Sequence, residues 1–86
     1  MKLQWSEEFK KDYRALPQHI QKQTDRKLRL LVEDLFHPSL RAKKMKGRKD
    51  EMYEASITMN YRVLFQISGD TYLLRRIGTH DILNRN

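Results

Sequence analysis

The sequence predicts an α+β fold in which an N-terminal helical hairpin packs on one face of a small, mainly antiparallel sheet. Three observations predict it. The chain has 86 residues, which is enough for one hydrophobic core. Apolar residues recur with a helical period in the first half, and they alternate with a period of two in the last third. We therefore expect a single domain over residues 1–86, with the element order β-α-α-β-β-β.

The N-terminal residues predict a short strand followed by a helix. Residues 1–5 favour the strand, and Ser6 is suited to cap the helix because two glutamates follow it, where the helix dipole favours acidic side chains. Phe9, Tyr13 and Leu16 then share one helical face.

A second helix is expected from Gln18 to Phe36. Pro17 suits its first turn. His37-Pro38 is expected to end it, because a residue that precedes proline disfavours the α region. Very little chain joins the two helices, so they are expected to form a hairpin.

The last third predicts an antiparallel meander. Alternating residues 53–58 and 61–67 are joined by a tight reversal at Met59-Asn60, and Ser68-Gly69-Asp70 leads into a third strand at 72–77.

The net charge of +7 and the pI near 9.9 favour an anionic partner, and nucleic acid first among them. Six of the nine residues 41–49 are Lys or Arg, and a short strand is favoured around residues 40–45. Such a segment supplies phosphate affinity that does not depend on sequence; a solvated, mobile loop is the alternative. The RNA-binding candidates in this segment are Lys43, Lys44, Lys46 and Arg48.

Several classes of protein and site are not expected. Cysteine is absent, which excludes disulfides and thiolate metal sites and fits a reducing compartment. The N-terminus has no apolar signal region, and no run is long enough to span a membrane. The three histidines lie on separate elements, so we expect no metal and no small-molecule cofactor. The sequence therefore predicts a soluble, cytoplasmic protein.

Strand alternation predicts where the polar side chains of the meander point, because residues i and i+2 share a face. If Val63, Phe65 and Ile67 form the helix-facing core, Arg62 faces the open side. Alternate positions on the last strand are expected to share a face, and one such set is Leu74, Arg76, Gly78 and His80. The open side is then expected to collect four polar residues in one concavity, with the basic segment at its rim: Glu54, Arg62, Arg76 and His80.

Arginine, histidine and carboxylate suit the cleavage of an RNA phosphodiester. Arg62 could stabilise the phosphorane, His80 could transfer a proton near neutral pH, and a carboxylate or a second positioned base could carry out the remaining proton transfer. Two plainer alternatives remain open. Arg62 could form a surface ion pair with Glu54 that contributes little to stability, and His80 could be an exposed or capping residue at a strand end.

Two short motifs in this order resemble the RelE/ParE superfamily, the bacterial toxins of type II toxin–antitoxin pairs. Residues 61–65, YRVLF, are similar to the family's strand of Tyr, Arg, two apolar residues and an aromatic. Residues 76–80, RIGTH, are similar to the ending of the YafQ-like branch. The resemblance implies an mRNA interferase, a metal-independent endoribonuclease that enters the ribosomal A site and inhibits translation by cutting the codon. The partners it implies are the ribosome, mRNA and a cognate antitoxin with an acidic, partly disordered segment.

The resemblance also implies roles for individual residues. Arg62 falls on the family's phosphate-stabilising arginine, and His80 on the catalytic histidine of YafQ-like members. Glu54 and Ser56 stand where RelE has two lysines, so Glu54 could be the base, orient His80 or pair with Arg62, and Lys46 is another candidate base. The basic segment would clamp ribosomal RNA. The alternatives are a ParE-like inhibitor of DNA gyrase without catalysis, and a basic nucleic-acid-binding module that is not toxic.

Overall fold

The structure, a computed structural model, describes residues 1–47 and 49–83, with only the backbone of residue 82. Helices and strands follow one another in the predicted order, the short strand favoured around residues 40–45 forms at Lys43–Lys44, and one further helix follows the last strand. The elements are β1 (Lys2–Trp5), α1 (Glu7–Arg14), α2 (Gln18–Glu33), β2 (Lys43–Lys44), β3 (Tyr53–Ser56), β4 (Tyr61–Ser68), β5 (Thr71–Thr79) and α3 (His80–Leu83), with a 3-10 turn at Pro38–Leu40.

The strands form one five-stranded sheet in the order β1-β5-β4-β3-β2. β1 runs parallel to β5, and every other neighbouring pair is antiparallel. The α+β class, the helical hairpin and the mainly antiparallel sheet are therefore confirmed. β4 lies at the centre of the sheet, and β1 and the two-residue β2 are its edges.

Ser6 links the start of α1 to the sheet. Its hydroxyl accepts the N–H of Phe9 at 3.1 Å, which confirms the predicted cap. The same hydroxyl donates to the carbonyl of Arg75 on β5 at 3.1 Å. Phe9 is fully buried, and Trp5 meets it edge-on with ring centroids 4.8 Å apart. α1 is thereby fixed against β1 and β5.

The second helix is shorter than predicted. α2 ends at Glu33, three residues before the expected end at Phe36. Asp34 takes an extended backbone, with φ −158°, and its carboxylate accepts the N–H of Phe36 at 3.0 Å. Asp34 therefore offers a local turn that competes with the helix, and the stop comes before His37-Pro38.

The sheet carries a hydrophobic cluster on each face. On the helix side, Val63 and Phe65 are buried with residues of both long helices. Leu64 points to the other face, as strand alternation requires. The second cluster comprises Met52, Leu64 and Leu83, with Met45 packed against it. The side expected to be open is thus partly covered, because α3 folds back onto it.

A bulge in β5 reverses the alternation that the sequence predicted. Leu64 pairs with Arg76 while Phe65 pairs with Leu74, so Arg75 is the extra residue. Leu74 and Ile77 are consequently both buried in the helix-side core. The prediction that Leu74 shares a face with Arg76 is therefore wrong. The parity argument does not extend to residue 80 either, because β5 ends at residue 79.

Candidate functional site

Arg62 is anchored in the turn between β3 and β4. Its NH1 group donates to the carbonyls of Thr58 at 2.7 Å, Met59 at 3.0 Å and Tyr61 at 3.2 Å. The described part of the chain supplies no acceptor for its Nε and NH2 groups. One edge of the guanidinium is therefore held by the turn, and the other edge keeps its donors for a ligand.

The side chain of Thr58 stabilises this turn through hydrogen bonds to its backbone. Its hydroxyl oxygen accepts the N–H groups of Asn60 and Tyr61, both at 3.2 Å. The N–H of Ile57 reaches the Tyr61 carbonyl at 2.9 Å, which closes the loop. The turn presents Met59 to solvent, with 88% of its surface exposed.

The pairing of β4 with β5 brings Arg62 near the end of β5, where His80 follows. The two side chains nevertheless line different hollows. Arg62 pairs with Gly78, two residues before His80. Arg62 lines a hollow of about 500 Å³, whereas His80 lines a different hollow of about 450 Å³ with Asp81. Met59 lines both. The single concavity that strand parity predicted is therefore two neighbouring hollows, separated by an exposed methionine.

Glu54 forms an ion pair with Lys43, whereas the partner considered from the sequence was Arg62. Its carboxylate lies 3.4 Å from the ammonium of Lys43 on β2, and only 16% of its side chain is exposed. In the register of β3 and β4, Glu54 stands opposite Leu64, and Ser56 stands opposite Arg62. Glu54 thus shares the face of Arg62 but is held toward the edge of the sheet.

Two residues of the basic segment, Lys43 and Lys44, form the edge strand β2. Lys43 and Lys44 are exposed there, and Lys44 lies 3.5 Å from Glu51. Lys46 is exposed in the turn that follows. Arg48 lies outside the described residues. These lysines line the edge of the sheet on which Glu54 is held.

Arg76 is engaged by the first helix. Its Nε donates to the carboxylate of Asp12 at 2.7 Å and its NH2 at 3.4 Å, and the N–H of Ile77 reaches the same carboxylate at 3.0 Å. The hydrogen bond to Asp12 raises the pKa of Arg76. Asp12 thus fixes β5 just before it delivers Gly78 and His80.

Sequence reasoning missed Asp12, although a signal was present. Asp12 lies in the last turn of α1, where the helix dipole disfavours an acidic side chain. An acidic residue in that position needs a partner elsewhere, and here the partner lies on β5.

Two more cations next to Arg62 were also missed. Lys27 of α2 and Arg41, which follows the 3-10 turn, line the same hollow. Lys27 was not among the predicted site residues, and Arg41 was counted only as part of the basic segment. We call this depression, lined by Lys27, Arg41 and Arg62, the cationic hollow.

Two other properties concern the described residues as a whole. None of the described helices is long and apolar enough to cross a membrane. Within residues 1–47 and 49–83, no three acidic or histidine side chains are grouped to hold a metal ion.

Comparison with known proteins places these features in a family context. The family model described as "ParE toxin of type II toxin-antitoxin system, parDE" matches residues 3–83. No curated protein sequence matches the chain significantly.

Solved structures of toxins share the fold. YafQ from E. coli is 12% identical, with 98% of each chain covered and a TM-score of 0.82. The E. coli DinJ–YafQ toxin–antitoxin complex is 14% identical, with 98% of this chain and 97% of the other covered and a TM-score of 0.81. The RelB–RelE antitoxin–toxin complex from Methanococcus jannaschii is 26% identical, with 92% of each chain covered and a TM-score of 0.75.

Proposed function

Because the chain belongs to the ParE toxin family of type II toxin–antitoxin systems, within the RelE/ParE superfamily, we propose that it is a toxin that cleaves mRNA in the ribosomal A site. One observation carries the catalytic part of the proposal. The register of β4 and β5 puts Arg62 opposite Gly78, two residues before His80, where the start of one strand meets the end of the next. A phosphate that reaches the two neighbouring hollows would meet a guanidinium and an imidazole.

In the proposed reaction the RNA 2′-oxygen attacks the adjacent phosphorus, and the bond from phosphorus to the 5′-oxygen breaks. The 2′-hydroxyl proton passes to a base, and the 5′-oxygen receives a proton from His80. The products are a 2′,3′-cyclic phosphate and a free 5′-hydroxyl. These two proton transfers are general acid–base catalysis, in which a positioned side chain typically increases the rate about 10²–10⁴-fold.

Arg62 is proposed to stabilise the negative charge of the phosphorane. Its NH1 group is already fixed by carbonyls at 2.7–3.2 Å, so little reorganisation is needed when the charge develops. The donors on Nε and NH2 match the oxygens of a phosphate in a bidentate arrangement.

Glu54 is the proposed base, and the structure gives it a specific neighbour. The Lys43 ammonium lies 3.4 Å from its carboxylate and holds it near the edge of the sheet. Lys46, exposed in the turn after β2, is the alternative base. Lys43 itself has a second role as an RNA contact.

The proposed RNA-binding residues are four cations of the basic segment, residues 41–49, and one arginine of β5. They supply phosphate affinity that falls with salt. Arg76 contributes charge while Asp12 holds its guanidinium, since 42% of its side chain stays exposed. The set is Lys43, Lys44, Lys46, Arg48 and Arg76.

A cognate antitoxin is proposed as the regulatory partner. Two of the similar structures are antitoxin–toxin complexes. With a net charge of +7, the chain favours an acidic partner segment that orders on binding. The cytoplasm, where ribosomes and such a partner occur, is the proposed location.

Primer extension on mRNA in a translating extract tests the nuclease. We expect cuts within A-site codons with the wild type and about 10²–10³-fold slower cutting with Arg62→Ala, because a preorganised charge stabiliser is lost. Arg26→Ala is the matched control, since it removes one exposed arginine from α2. Thermal unfolding of Arg62→Ala checks that the turn still folds. Cleavage that survives both Arg62→Ala and His80→Ala would show that the mechanism is wrong.

A second function is favoured by one observation, the family model itself, which describes the ParE toxin. A ParE-like protein would bind and inhibit DNA gyrase without catalysis, and one fold can host both activities. Accumulation of gyrase-cleaved DNA while mRNA stays intact in the same cells would establish that function in place of the nuclease.

A further inference from the structure

The cationic hollow gathers positive charge from three parts of the chain. Lys27 comes from α2, Arg41 from the segment after the 3-10 turn, and Arg62 from β4. Hydroxyl-bearing Ser56 and Thr58 complete the polar wall, and no carboxylate of the described residues lines this hollow. The volume of about 500 Å³ is ample for a phosphate group and an attached sugar.

Local interactions hold two of these cations in place. Leu40 is 1% exposed and anchors the 3-10 turn in the main core. The Lys27 ammonium donates to the carbonyl of Ser39 at 3.2 Å, which joins α2 to the same turn. The positions of Lys27 and Arg41 are therefore set by the fold.

Arg41 takes a backbone conformation that its residue type disfavours. Its φ of 46° and ψ of 42° are left-handed, a conformation that L-residues other than asparagine and aspartate rarely adopt. Strained positions of this kind concentrate at functional sites. The strained residue here carries a guanidinium at the wall of a positive hollow.

Three like charges in one hollow repel one another, and a bound anion removes that cost. We propose that Lys27 and Arg41 form a subsite in the cationic hollow for the backbone phosphate next to the scissile one in single-stranded RNA, while Arg62, which lines the same hollow, keeps its proposed role at the scissile phosphate. The choice of RNA as ligand rests on the proposed function. Met59, which lines both hollows, lies where the strand would cross from this subsite to His80.

The test measures affinity without cleavage. A short, fluorescein-labelled, single-stranded RNA with 2′-O-methyl groups cannot be cut, so its anisotropy reports binding alone. Affinity is measured over a range of KCl concentrations for the wild type, Lys27→Gln and Arg41→Asn. Asn tolerates the left-handed backbone, so that variant keeps the local fold. Lys22→Gln is the matched control, from an exposed lysine on the same helix.

Loss of a phosphate contact has a distinct signature. We expect Lys27→Gln and Arg41→Asn each to weaken binding about fivefold to tenfold and to lower the salt slope by about 0.7, the value for one phosphate on a single strand. Lys22→Gln should change affinity less than about twofold, because a solvated lysine contributes little. Lys27→Arg and Arg41→Lys keep the charge, so they should restore the slope.

Equal affinities and slopes for the hollow variants and for Lys22→Gln would overturn the subsite. So would a loss of affinity that Arg41→Lys and Lys27→Arg fail to restore, since the cause would then be structural. The A-site cleavage assay on the same proteins separates the two proposals. Absence of cleavage with intact, charge-dependent binding removes the nuclease and keeps the subsite, whereas cleavage with unchanged binding in the variants removes the subsite alone.

Discussion

Removal of the Asp12 carboxylate should destabilise the protein more than any exposed charge does. Asp12 accepts three hydrogen bonds on β5: two from the Arg76 guanidinium, at 2.7 and 3.4 Å, and one from the N–H of Ile77, at 3.0 Å. Only 19% of its side chain is exposed. In Asp12→Ala the Ile77 N–H loses its acceptor and the guanidinium loses its partner.

The size of the effect follows from these contacts. A hydrogen bond to a charged group contributes about 1.5–3 kcal/mol, and an abandoned buried N–H costs about 1–3 kcal/mol. Arg76 is 42% exposed, so water replaces part of its lost interaction and the lower values apply. We therefore expect Asp12→Ala to lower the free energy of unfolding by about 2–3 kcal/mol, which corresponds to a fall in Tm of roughly 8–24 °C for a domain of this size.

Urea unfolding followed by circular dichroism measures this loss. Asp25→Ala is the control, because Asp25 is exposed and, among residues 1–47 and 49–83, accepts a hydrogen bond from the Tyr13 hydroxyl alone; it should cost less than about 1 kcal/mol. The double variant with Arg76→Ala should show a coupling of about 1 kcal/mol between the partners. A loss below about 0.5 kcal/mol for Asp12→Ala would refute the assignment of Asp12 as the anchor of β5.

Three further predictions concern other parts of the fold. The hydrogen bond to Asp25 raises the pKa of Tyr13, so its stabilisation is present below the unfolded pKa of about 10 and is lost as pH rises through the folded value. Urea curves should show Tyr13→Phe less stable than the wild type at pH 7 by under about 1 kcal/mol, and the gap should close above about pH 10; a constant gap would contradict this. Leu64→Ala should cost about 2–5 kcal/mol, clearly more than Ile67→Ala, whose side chain is 39% exposed; equal losses would argue against the second cluster. Ser6→Ala should cost about 1–2 kcal/mol in thermal unfolding, because it removes both a helix cap and a bond to β5; no change in Tm would show that neither bond matters.

Local signals in the sequence predicted most of the fold. Ser6 and the apolar face of α1 predicted the first helix, and the alternation of Val63 and Phe65 with polar neighbours predicted β4. These patterns depend on residues close together in the chain, where capping and side-chain period act directly. The end of α2 was missed because the side chain of Asp34 competes with the helix, and that competition is not visible in apolar periodicity.

The bulge and the second cluster depend on contacts between distant residues. Arg75-Arg76 are both polar, so the pattern gave no sign of an extra residue on β5. The bulge is secured by Asp12, which is 64 residues away from Arg76. Leu83 was not expected to pack on Leu64, because the two apolar residues Ile82 and Leu83 are too few to show a period.

Part of the candidate site was predictable from local sequence patterns, and part of it depends on contacts between distant residues. Arg62 and His80 lie on or directly after adjacent strands, so a local pattern and a family resemblance were enough to select them. Lys27 and Arg41 join Arg62 only through the packing of α2 and the 3-10 turn against the sheet. Glu54 was selected because strand alternation places it on the same face as Arg62. Its ion pair with Lys43 was not predicted, because that contact depends on the pairing of β2 with β3.

The rate of mRNA cleavage in A-site codons, compared between His80→Ala and the wild type, tests the proposed function most directly. His19→Ala is the control, since it removes an exposed histidine from α2. We expect wild-type rates for His19→Ala and a loss of about 10²–10⁴-fold for His80→Ala, the range for a general acid. Cleavage by His80→Ala at the wild-type rate, or no cleavage by the wild type at all, would contradict the proposal.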